Sequence, residues 1–173
     1  MAVFEFNRKL IILLCACLVA CNKIPDLDPI PKISYSGITQ YTVVDSSGRK
    51  VAEKVILSIN FEDGDGNLGA TSEDREGRFK DLPNYELVTL TKQLDGSWTE
   101  RIRNEDLPKW MPILKPDGKT GPIRGRLDYN STYPYGNSTV AVTLKFKVRI
   151  KDQAMNESNQ IMETDTVVVP GYR

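Results

Sequence analysis

The sequence predicts an all-β protein, a β-sandwich of about seven to eight antiparallel strands, on three observations. Residues 140–150 alternate without a fault: Val140, Val142, Leu144, Phe146, Val148 and Ile150 on one side, Ala141, Thr143, Lys145, Lys147 and Arg149 on the other. That period of two belongs to a half-buried strand. Val55, Leu57, Ile59 and Phe61 repeat the pattern against Ile56, Ser58 and Asn60. Turn residues separate the remaining short apolar runs, and no stretch keeps a 3.6-residue period.

Composition narrows the chemistry. The 173 residues are 40% hydrophobic and 27% charged, enough to bury a core. Lys plus Arg and Asp plus Glu both number 23, so there is no basic surplus for nucleic acid. Histidine is absent, which removes the commonest general base, the commonest zinc ligand and most nucleophilic triads. A hydrolase built from carboxylates alone remains possible, but no convincing acid and base pair supports one. The expectation is a non-enzymatic module.

Residues 1–20 read as a signal peptide: Arg8 and Lys9, then a short apolar run from Leu10 to Val19. Leu18-Val19-Ala20-Cys21 resembles a bacterial lipobox, which implies cleavage before Cys21 and lipidation of its thiol. Cys15 and Cys17 would leave with the signal, so the mature chain would have no disulfide. Residues 21–31 form a linker with Pro25, Pro29 and Pro31 beside Asp26 and Asp28, an extended spacer. The domain is expected over 32–173.

Within it, 33–38 is a short strand and Asp45-Ser46-Ser47-Gly48 a turn. The strand at 53–61 follows. Residues 85–92 and 97–103 flank Asp95-Gly96, a hairpin signal. Residues 107–121 are Pro- and Gly-rich and read as a long connection, with one helical turn around 105–110. Residues 123–129 alternate as a strand, and 130–137 read as a loop. After 140–150, Asn156 to Asn159 turn the chain and 161–169 return as the last strand. Lys145, Lys147 and Arg149 read as a solvated sheet face, and Trp98 and Tyr129 as core.

The strand at 53–61 runs into Asp63-Gly64-Asp65-Gly66-Asn67-Leu68-Gly69, with side-chain oxygens at every second position. A second polar cluster, Asp152 to Asn159, follows the strand at 140–150. In an immunoglobulin-like sandwich the second and sixth strands lie in opposite sheets and run the same way, so their exit loops share one end. That brings Asp63, Asp65 and Asn67 towards Asp152, with Asp26 and Asp28 of the linker at the same end. Oxygen clusters of this kind suit calcium, which takes six to eight oxygen ligands at about 2.3–2.6 Å. The loop is no EF-hand: Leu68 stands where that loop needs glycine, and a strand precedes it. A solvated Asp/Gly turn is the alternative reading.

The two motifs and the lipobox together resemble a group of small Bacteroidota lipoproteins with an immunoglobulin-like or cadherin-like β-sandwich. The resemblance implies a cell-envelope location, an outer-membrane lipid anchor and no established activity. Similar modules carry glycine at the place of Met155. Cadherin-like calcium sites similarly join an Asp-x-Asp loop to acidic linkers. The second functional reading is capture of a carbohydrate or envelope-protein ligand, with Tyr133 and Tyr135 of an aromatic loop making the contact; core or loop packing is the alternative reading of these two side chains.

Overall fold

The computed structural model describes residues 26–100, 107–115, 118–136 and 140–171; the signal segment, Cys21 and the start of the linker lie outside the described residues. Among the described residues seven strands and one short helix follow in order: β1 (Lys32–Val44), β2 (Lys50–Asp63), α1 (Ser72–Glu76), β3 (Tyr85–Lys92), β4 (Trp98–Glu100), β5 (Ile123–Pro134), β6 (Ala141–Ile150) and β7 (Val167–Pro170). They form two antiparallel sheets, β1-β2-β5 and β4-β3-β6-β7. That order is consistent with an immunoglobulin-like sandwich, A-B-E facing C′-C-F-G.

The alternation read from the sequence is what fills the core. Val55, Leu57, Ile59 and Phe61 of β2 face Leu144, Phe146, Val148 and Ile150 of β6 across the sandwich, all buried. Fully burying one such side chain contributes about 1.5–3 kcal/mol. Tyr129 of β5 is half-buried and stacks on Tyr85 of β3 with ring centroids 5.7 Å apart. On the outer side of β6 the cations are half-buried rather than freely solvated. Lys145 pairs with Glu163 at 2.7 Å, Lys147 with Glu100, and Arg149 with Glu86 at 2.7 Å. Lys145 also sits 4.6 Å above the Trp98 ring, which leaves Trp98 half-buried outside the core.

Several elements differ from the sequence reading. β1 is 13 residues long, because its outer half is an exposed edge without apolar alternation. β5 runs to Pro134, so 130–134 is strand and not loop. Its inward parity continues through Ser131 and Tyr133, both buried. The final strand spans only Val167–Pro170. Before it, the chain satisfies β6 piecemeal. Val148 and Ile161 exchange backbone bonds of 3.0 and 2.8 Å, and Phe146 N–H donates to Thr164 Oγ1 at 3.0 Å. The helix is at Ser72–Glu76, started by a capping box between Thr71 and Asp74. Residues 107–110 are not helical, and the rest of the helical turn expected there lies outside the described residues. The Asp95-Gly96 hairpin is present, with Gly96 at φ 86 and Ser97 N–H donating to Asp95 Oδ1 at 2.9 Å.

Candidate ion site at the acidic pole

β2 and β6 both end at one pole of the sandwich, and their exit loops meet there. Leu68 and Asp152 form an isolated bridge, and Gln153 N–H donates to Asn67 O at 3.2 Å. The structure therefore brings together the two acidic clusters that lie far apart in sequence.

Asp63 is the last residue of β2 and keeps the inward parity of Val55 to Phe61. The rule that buries Phe61 thus carries a carboxylate to the end of the core, where its exposure is 0%. Neither carboxylate oxygen of Asp63 has a hydrogen-bond partner. Burial pushes its carboxyl up to about 6. The neighbouring Asp65 and Asp152 carboxylates push the same way, and the nearby amides of Asn67 and Gly66 oppose them. A buried carboxylate that only nearby amides approach is a costly group for a fold to hold.

The flanking side chains are turned on themselves. Asp65 Oδ2 accepts from Asn67 Nδ2 at 2.8 Å, which leaves the buried Asn67 Oδ1 without a partner. Asp152, 1% exposed, accepts from Asn156 N–H at 2.7 Å and from Asn156 Nδ2 at 2.8 Å. That turn forces Met155 to φ 65, the only non-glycine left-handed residue among the described residues. The position suits glycine. Among the described residues, no three His, Cys, Asp or Glu side chains are drawn together as a ready-made metal cage. The available donors are all oxygen, and three of them, both Asp63 oxygens and Asn67 Oδ1, are buried and unused. This donor set fits a hard cation such as calcium.

The glycines of the loop do more than permit turning. A Cβ on Gly64 would lie 2.1 Å from Leu27 O, one on Gly66 2.3 Å from Gly121 O, and one on Gly69 2.1 Å from Pro112 O. Each glycine therefore seats the backbone of another segment. The matching bonds run from Gly64 N–H to Asp28 O at 2.9 Å, from Gly121 N–H to Asp65 O at 3.0 Å and from Ala70 N–H to Met111 O at 2.9 Å. The linker does reach the loop, but through the backbone of Leu27 and Asp28. The Asp28 side chain pairs with Lys32 at 3.2 Å and accepts from Ile30 N–H at 3.0 Å, and Asp26 is exposed.

Tyr133 and Tyr135 do not share one exposed loop. Tyr133 is 0% exposed and belongs to the core, because it continues the inward side of β5. Tyr135 alone remains at the surface, at the opposite pole, and its hydroxyl donates to Glu53 Oε1 at 2.6 Å. Glu53 is itself buried and also accepts from Thr42 Oγ1 at 2.7 Å and Gln40 Nε2 at 3.1 Å. An open groove of about 470 Å³ lies beside it, lined by Gln40, Tyr135, Val140 and Val168. Sequence reasoning did not find this buried carboxylate. Its signal was parity: Glu53 falls on the same side of β2 as Val55, Leu57, Ile59 and Phe61.

In comparisons with known protein families and with curated proteins, no family model and no curated protein matches the chain.

Proposed function

We propose that this chain is a non-enzymatic, calcium-binding β-sandwich module of the bacterial cell envelope, held at the outer membrane by a lipid on Cys21. The observation that carries the ion is Asp63, buried at the end of β2 with both carboxylate oxygens unpartnered beside Asp65 and Asp152. A divalent cation supplies the charge those carboxylates lack. Asp63, Asp65, Asn67 and Asp152 would hold it. Their part is to order the acidic pole and add stability by mass action. The lipid anchor rests on the signal segment and lipobox. The task of the module is binding or scaffolding, with an envelope protein or glycan as partner.

Thermal melting with calcium titration tests the ion. At a calcium concentration of about 100 Kd, binding to the folded state adds about 2.7 kcal/mol. That corresponds to a Tm rise of about 5–11 °C for a domain of this size. Equal melting temperatures in chelator and in millimolar calcium remove the ion from the reading. Radioactive palmitate labelling of the full chain against Cys21→Ser tests the tether, and equal labelling of both defeats it.

A further inference from the structure

We propose that ion occupancy of the acidic loop latches residues 111–114 onto the sandwich, so that this part of the connection before β5 is docked with the ion and released without it. The inference rests on the calcium reading above and names what the ion controls.

Residues 111–114 belong to neither sheet. Their backbone bonds are Ala70 N–H to Met111 O at 2.9 Å, Leu114 N–H to Leu68 O at 3.1 Å, and Met111 N–H to Asn84 Oδ1 at 2.7 Å, while the Met111 side chain is buried in the core and Leu114 packs against it. Two of these three bonds are made by the acidic loop itself. Further along, Gly121 N–H donates to Asp65 O at 3.0 Å. Lys115 Nζ donates to Thr120 O at 3.2 Å and to Gly121 O at 3.1 Å. The segment and the turn residue Gly121 after it therefore hang on the backbone of residues 65–70, whereas the residues before it are held elsewhere, by Tyr85 N–H on Lys109 O at 3.2 Å and Trp110 Nε1 on Phe79 O at 2.9 Å.

That attachment is sensitive to the shape of the loop. Gly69, at φ 106, lies so close to Pro112 O that a Cβ would stand 2.1 Å from it. A contact between two backbones has no side chain to absorb a shift. Yet the loop lacks an internal support: the Asp63 carboxylate is buried and unpartnered, and Asp65 and Asp152 repel it. Without a cation that repulsion opens the loop and pulls Leu68 and Ala70 away from their partners. A cavity of about 370 Å³ between Asp65, Asn67, Ile113, Lys115 and Gln153 leaves room for the movement. Linkage requires reciprocity: the docked segment must tighten the ion by the factor with which the ion tightens docking.

The test is amide hydrogen exchange on the full chain in saturating calcium and in chelator. The amides of Ala70, Leu114 and Gly121 are expected to slow at least about tenfold with calcium, a coupling of ordinary size. The Val148 and Ile161 amides, each bonded to the other residue's carbonyl in a bridge beside β6, serve as the reference for global stabilisation. Calcium that raises Tm without slowing the three loop amides beyond that reference overturns the latch and leaves the ion site standing. Calcium with no effect on Tm overturns both. The variant Gly69→Ala, which unseats Pro112 and retains every carboxylate, is expected to weaken calcium binding several-fold. Undiminished affinity in a folded variant overturns the latch; should it not fold, the exchange measurement on the native chain decides.

Discussion

Replacing Asp63 with Asn isolates the strain that the acidic pole carries. In chelator at pH 7 the buried carboxylate is ionised against an environment that favours its neutral form. Its carboxyl is raised from 3.8 to about 6, and at about 1.36 kcal/mol per pH unit this puts the penalty at about 3 kcal/mol. The sign follows from linkage. The folded state holds the proton more tightly, so stability is full below pH 3.8 and falls as pH rises through about 6. Asn keeps the shape and removes the charge. Asp63→Asn is therefore expected to melt higher than the native protein in chelator at pH 7, by about 6–12 °C if the whole penalty is recovered. The need to satisfy a buried amide reduces that gain. The two proteins converge in Tm as pH is lowered towards 4, and the variant loses the calcium response. The assay is circular dichroism melting at pH 4, 5, 6 and 7, with and without calcium. A variant that melts lower than the native chain at pH 7 in chelator would refute the claim that this carboxylate is uncompensated.

Other perturbations follow from single observations. Met155→Gly relieves a left-handed backbone and is expected to raise stability by about 0.5–1 kcal/mol in chemical denaturation; a loss would contradict the strain reading. Gly64→Ala meets Leu27 O at 2.1 Å, whereas Gly48→Ala meets nothing and bears only the cost of its φ of 79. The first is expected to cost at least about 2 kcal/mol and the second about 1 kcal/mol, and equal costs would sink the seat assigned to the linker. Glu53→Ala strips the shared acceptor from Thr42, Gln40 and Tyr135 and is expected to cost about 1–3 kcal/mol in the same assay. Its lowered carboxyl means the native advantage over this variant shrinks on acidification below pH 4.5, and an advantage that persisted there would point to packing alone.

The strongly patterned strands were legible because both of their faces obey the same rule over many residues. β2 and β6 appear where the alternation of Val55 to Phe61 and Val140 to Ile150 puts them. Their opposite sheets and shared direction brought Asp63 to Asp152, as the topological reading required. Less of β1 was visible, because an edge strand with exposed Thr39, Gln40, Tyr41 and Thr42 has no core face to mark it. Polar Asn130, Ser131 and Thr132 hid the end of β5, although parity counted onward from Tyr129 would have placed Tyr133 inside. The same count would have buried Asp63. Thr71 and Asp74 stand at capping-box spacing, but the helix they start has five residues, too few to show a 3.6-residue period. The role of the loop glycines was hidden for another reason: what they touch lies in segments distant along the chain, and no local pattern encodes that.

The chain passes the acidic loop at Asp28 and leaves the last strand at Gly171, beside Val140 at the far pole. Tension applied between those points would draw β1 lengthwise along β2 and β7 lengthwise along β6. Each ladder would be sheared with all its rungs loaded together instead of peeled one rung at a time. For a body tethered on one side and gripped on the other, this threading gives resistance to pulling without any cross-link.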